Sequence, residues 1–168
     1  SWRLGLVSKV SGFTKTNAVG DVDFQYDSKG NRHRIGNAPI ATSKVDWSGP
    51  IVADEVKFTL SHTTATAKAT IPSPSYLHYP RGSACVDDTV YQDLDQFFED
   101  VVRLYRRELN AICEAGCCYL QFDEVVQALL CDETIRLALV DRGDCPDTKT
   151  LSINMDFPLP PPPTVSYT

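Results

Sequence analysis

Two carboxylates stand side by side at Asp123 and Glu124, directly after residues 117–122 in the stretch AGCCYLQFDEVVQALLCD. A short run of residues that can all be buried reads as a strand crossing a core. The acids therefore arrive where a strand leaves the interior. In parallel α/β folds, ligands bind beyond the carboxyl ends of the strands. A carboxylate there is poorly placed for packing and well placed to hold a cationic group. The same residues also fit a plain structural role, with Asp123 capping the next helix and Glu124 complementing its dipole. The residues alone leave both readings open. A second strand-end segment, PSPSYLHYPRG, lies earlier in the chain.

Six cysteines invite a metal or disulfide reading: Cys85, Cys113, Cys117, Cys118, Cys131 and Cys145. No two form a C-x-x-C pair, and His33, His62 and His78 are not spaced beside them as ligands. Free cysteine behaves as a small hydrophobe. These cysteines read as reduced core residues of a cytoplasmic protein rather than as disulfides or a zinc site.

The elements that must position the acids follow from periodicity. Residues 66–71 read as a short strand, stopped by Pro72 and Pro74, which cannot donate to a sheet ladder. A helix is expected over 93–115. Asp93 is its N-cap, with Gln96 three residues on. Leu94, Phe97, Phe98, Val101, Tyr105, Leu109 and Ile112 form one apolar stripe. Glu99, Asp100, Arg103, Arg106, Arg107 and Glu108 are assigned to the opposite, open face. Gly116 closes the helix. Residues 117–122 then form a second strand, buried on both faces as parallel strands usually are. Strand, helix and strand make one βαβ unit. Helical stretches follow in EVVQALL and, capped by Asp132, in ETIRLALVDR. Residues 1–55 read as irregular, although DVDFQYD alternates as a hairpin arm would. ADEVKFTLSHT suggests a short helix.

A chain of 168 residues is long enough for one domain with a real core. Its net charge of −6 argues against a broad nucleic-acid footprint. No stretch approaches the ~20 apolar residues of a membrane span. The chain lacks an initiator Met and a signal-peptide pattern, as expected of a processed chain or a fragment. Residues 1–147 are assigned to one domain. Residues 148–168, ending in PLPPPPTVSYT, are assigned to a divergent Pro-rich tail, read as flexible rather than as an SH3 or WW ligand.

The segments SHTTATAKATIPSPSYLH, VYQDLDQFFEDVVRLYRREL, AGCCYLQFDEVVQALLCD and RLALVDRGDCPDT together resemble the cobalamin-independent methionine synthase family. The likeness is nearer to its shorter, single-barrel members, and TIPSPS with YLQFDE carries most of it. The resemblance implies an α/β fold built as part of a (β/α)₈ TIM barrel, with about two βα units after an irregular N-terminal region. It implies methyl transfer from a methyl-folate to a homocysteine-like thiol, with zinc activating the sulfur in the complete family barrel. Asp123 matches the carboxylate that receives the substrate amino group, and Glu124 supports that loop. Ser75 matches a small hydroxyl on the strand-end loop. Tyr79 matches an aromatic that stacks on the folate pterin, and Arg32 and His33 fall near a basic stretch that meets the folate.

The family's zinc ligands lie on later segments, beginning with a His-x-Cys motif, that this chain does not contain. No metal is therefore expected here. The chain alone is expected to be an inactive fragment, prone to self-association or needing a partner chain to complete the barrel. The alternatives are a non-catalytic interaction or structural fragment, and an alkyl or thiol transferase or a decarboxylase on the same scaffold.

Overall fold

The structure, a computed structural model, describes residues 6–14, 19–26, 29, 32–36, 38–124 and 126–144, with side chains undescribed in 19–26 and 32–36. The order is β1 (Val10–Thr14), β2 (Val19–Tyr26), β3 (Arg32–Gly36), β4 (Ile40–Trp47), α1 (Ala53–Ser61), β5 (Lys68–Pro72), α2 (Leu94–Glu114), β6 (Tyr119–Asp123), α3 (Val126–Leu129) and α4 (Glu133–Asp141). Short 3₁₀ turns at Pro74–Leu77 and Gly82–Cys85 follow β5. The Pro-rich tail lies outside the described residues.

The expected partial barrel is not evident among the described residues. The described strands pair two at a time, as β1 with β4, β2 with β3, and β5 with β6. A barrel needs a continuous ring of paired strands, and no such ring is present among the described residues. The N-terminal region is not irregular either. It supplies two antiparallel pairs, and DVDFQY, residues 21–26, lies in β2, which pairs with β3. The β4 sequence IATSKVDW hides its strand because only Ala41 and Val45 are buried, with three exposed polar residues between them. β1 bulges at Gly12, whose φ is +96°. A Cβ there would sit 2.6 Å from the Lys44 carbonyl oxygen, so only glycine fits without a shift.

The βαβ unit forms as expected. β5 and β6 pair in parallel from Lys68↔Tyr119 to Pro72↔Asp123. Between them α2 starts at Asp93, whose Oδ1 accepts the Gln96 amide at 2.9 Å. It ends in a Schellman turn, with Gly116 at φ +94° donating to the Cys113 carbonyl and Cys117 donating to that of Ile112. The α2 stripe packs Phe97, Val101, Leu104, Tyr105 and Ile112 against Ala41 and Val45 of β4 and Ala69 and Ile71 of β5. Fully burying one such side chain contributes about 1.5–3 kcal/mol. A smaller cluster joins Tyr79, Val126, Leu130, Ile135 and Leu139.

Two expectations about faces fail. Asp100 and Glu108 are not on an open face; they are 6% and 1% exposed. The Tyr91 hydroxyl donates to Asp100 at 2.8 Å while accepting the Val45 amide, and Arg103 pairs with Asp100. Glu108 accepts the Trp47 indole N–H and the amides of Ile51, Val52 and Ala53, thereby capping α1 from a neighbouring helix. β6 also fails to be buried on both faces. Its residues alternate, with Leu120 and Phe122 packed against the main core and Tyr119 and Gln121 exposed.

Candidate functional site

The site lies where β5 and β6 end together. The last register pair is Pro72↔Asp123, and the Ser73 amide donates to the Asp123 carbonyl at 3.1 Å. The chain turns sharply after β5 because Pro74 opens a 3₁₀ turn, which buries Ser73 and Ser75. Both serine hydroxyls donate to Glu124 Oε2, that of Ser75 at 2.7 Å. Glu124 Oε1 accepts the Val126 amide at 2.8 Å and the Gln127 amide at 3.4 Å. One carboxylate thus ties the loop after β5 to the loop after β6 and caps α3. From the helix side, the Tyr105 hydroxyl donates to the Pro72 carbonyl at 2.9 Å. Burial pushes the Tyr105 phenol well above its usual range, and the charges of Glu124 and Glu108 push the same way.

Asp123 differs from Glu124 in its hydrogen bonds. Its side chain is partly exposed and accepts one hydrogen bond, from Gln121 Nε2 at 2.7 Å. The capping role available to either acid falls to Glu124. Asp123 keeps free acceptor capacity at the strand end, where it can receive a cation.

The remaining sequence-derived positions fall elsewhere. Tyr79 is 1% exposed, with its ring in the small cluster and its carbonyl accepting Arg142 Nη2 at 3.1 Å. Arg32 and His33 open β3, opposite Tyr26 and Gln25, and their side chains lie outside the described residues. The geometry therefore joins Ser75, Asp123 and Glu124 and leaves Tyr79 in an adjoining layer. Ser73 belongs to the clamp as fully as Ser75. It was legible in TIPSPS, where both serines precede or follow Pro74. Arg142 and Asp144, in RGDCPDT, pair beside the same layer and lie close enough to Gly82 that a Cβ there would crowd them. His78 packs edge-on to Phe98 at 5.3 Å. Burial lowers the His78 pKa; Asp144 opposes this and Arg142 adds to it.

The cysteines divide. Cys85 and Cys117 are buried, while Cys113, Cys118 and Cys131 are exposed, and all five are free thiols. Burial pushes the Cys85 thiol up to about 12. Among the described residues, no three His, Cys, Asp or Glu side chains gather as metal ligands. The described residues do not fit a zinc site. No described helix is long and apolar enough to cross a membrane.

No family model matches the chain. It is 32% identical over 108 residues to the uncharacterized protein YxjH of Bacillus subtilis (strain 168), covering 64% of this chain and 28% of that protein. It is 32% identical over 107 residues to the uncharacterized protein YxjG of the same strain, covering 63% and 28%. The chain thus spans 28% of the length of these relatives. Its structure is similar to that of a candidate vitamin-B12 independent methionine synthase from Listeria monocytogenes. The TM-score is 0.55 at 21% identity, over 83% of this chain and 39% of that one. At that identity the likeness shows a shared fold across the aligned part.

Proposed function

We propose that this chain is part of a protein of the cobalamin-independent methionine synthase kind, and that Asp123 receives the ammonium group of a thiol-bearing amino acid such as homocysteine. One observation carries the reading. Of the two acids at the end of β6, Glu124 is committed to four donors, and Asp123 faces outward with one. The clamp fixes the backbone that carries Asp123, so the anchor is preorganised. The fold likeness and the quoted motifs support the same assignment.

Methyl transfer is proposed for the longer protein, with a methyl-folate as donor, and only binding for this chain. Support for the folate side is the sequence resemblance at Tyr79, Arg32 and His33. Among the described residues β5 and β6 pair only with each other, and such edges support a partner, either the rest of a longer chain or a second copy. A cytoplasmic setting accompanies the reading, in keeping with the five free thiols.

Calorimetric titration of the chain with L-homocysteine under reducing conditions tests the anchor. Asp123→Asn is expected to weaken binding at least tenfold, because losing one partner of a close charge pair costs a few kcal/mol when it is desolvated and less at a rim. Equal affinity in both proteins would remove Asp123 from the site.

A further inference from the structure

Beside the serine–glutamate clamp, the loop after β5 meets the end of α4 at a cluster with two guanidinium groups. Arg142 donates from Nε and Nη2 to Asp144, and Nη2 also donates to the Tyr79 carbonyl at 3.1 Å. Its Nη1 is enclosed and meets no acceptor among the described residues. A buried charged donor is costly unless something answers it. Gly82, at φ +56°, lays its backbone against the same guanidinium, where a Cβ would sit 2.9 Å from Arg142 Nε. Arg81 is the chain neighbour of Gly82 and is half-buried. Its Nε donates to the Ala84 carbonyl at 2.9 Å, and no acid pairs with it among the described residues. The charges of Arg81, Arg142 and Asp144 all reach the buried Cys85 thiol, so the three lie around it. His78, kept neutral by burial in the same layer, adds no charge. Among the described residues of this cluster, two cations therefore stand against one carboxylate.

We propose that Arg81 and Arg142 together form a binding site for an oxyanion, the phosphate or carboxylate group of a small molecule. The site is separate from the Asp123 anchor and does not rest on it. A guanidinium presents five N–H donors in a fixed fork that matches carboxylate and phosphate oxygens. Arg142 offers its unanswered Nη1 edge, and Arg81 offers the end of its fork beyond Nε. An oxyanion has enough lone pairs to accept from both, and it balances the surplus positive charge. Asp144 acts in two directions, holding Arg142 in place and repelling an arriving anion. The site lies one turn from the clamp, since the Tyr79 amide donates to the Ser75 carbonyl at 2.8 Å.

The test titrates the whole 168-residue chain with inorganic phosphate and, separately, with acetate. Each is compared with sodium chloride at the same ionic strength, so that general screening cancels. Phosphate is expected to bind by calorimetry and to raise the melting temperature. Arg81→Met should weaken phosphate binding about tenfold, the scale of one hydrogen bond to a charged group, with little change in the ligand-free melting temperature. Arg142→Met also removes the tie to Tyr79 and can unfold the loop, so Asp144→Asn supplies the second arm. It removes the competing charge and should tighten phosphate binding several-fold while lowering the ligand-free melting temperature. A lower melting temperature without tighter binding would mark the Arg142–Asp144 pair as purely structural and overturn the proposal. Acetate binding with the same dependence on Arg81 assigns the site to carboxylates, and binding of phosphate alone assigns it to phosphate esters. If neither anion binds beyond chloride, or if binding is equal in wild type, Arg81→Met and Asp144→Asn, the proposal is wrong.

Discussion

Glu108, within α2, and Asp123, at the end of β6, are both carboxylates of the βαβ unit, and they are opposites in use. Glu108 is enclosed and accepts four donors, one from the Trp47 indole and three from the backbone at the start of α1. Asp123 sits at the end of β6 and accepts one, from the side chain two residues before it. A buried acid must be saturated, since an unpaired charge in a core is costly. An acid at a strand end can remain unsaturated because water completes its shell until a ligand replaces the water. The contrast separates acids that build the fold from acids available for binding, and acceptor count is a better guide to that difference than sequence position.

The largest expected effect breaks the first half of the comparison. Glu108→Ala strands an indole and three amides, and should cost about 3–5 kcal/mol, enough to unfold a marginal domain. Urea melts of the two proteins measure it. Glu124 is intermediate, half-buried and bound to two hydroxyls and a helix start. Glu124→Ala should cost about 1–3 kcal/mol in the same melts. A loss as large as that for Glu108 would show that burial matters less than acceptor count.

The pH dependence of stability sharpens the picture around the neighbouring layer. His78 is held neutral by burial, so the unfolded chain takes up its proton more readily as pH falls below the ordinary 6.5. Its contribution is present above that value and lost on acidification. Cys85 has the reverse sign in pH. Its folded thiol resists ionisation up to about 12, whereas the unfolded thiol ionises near the ordinary 9.0. The chain should therefore lose stability progressively from about pH 9 towards 12, as the unfolded thiolate forms. Cys85→Ser should flatten that alkaline limb, while exposed Cys113, Cys118 and Cys131 should react first with a thiol reagent at pH 8.

The α2 helix and the parallel strand pair were legible because one long apolar stripe, a capped start and a glycine stop all agree. The N-terminal strands were not. β4 buries only Ala41 and Val45, and three polar residues mask its period. Glu108 was misplaced for a different reason. Helical periodicity assigns a face and cannot know that the chain between β4 and α1 will fold its backbone donors over that face. The outward face of β6 is legible in the sequence. Tyr119, Gln121 and Asp123 alternate with Leu120 and Phe122, the period-two pattern of a strand open on one side. The acids at the site were visible as a pair, but their division of labour depends on the serines of the β5 loop, which only the fold brings within reach.

The smallest stability effect is expected at Asp123. Asp123→Asn removes no buried partner and should change stability by at most about 0.5 kcal/mol. The most direct measurement is therefore a set of thermal melts of the wild-type chain, Asp123→Asn and Glu108→Gln, each with and without saturating L-homocysteine. A ligand that binds only the folded state raises the melting temperature. Asp123→Asn is expected to keep the wild-type melting temperature and lose the ligand-induced rise, while Glu108→Gln is expected to melt lower and keep the rise. An Asp123→Asn protein that melts lower yet retains the full rise would contradict this.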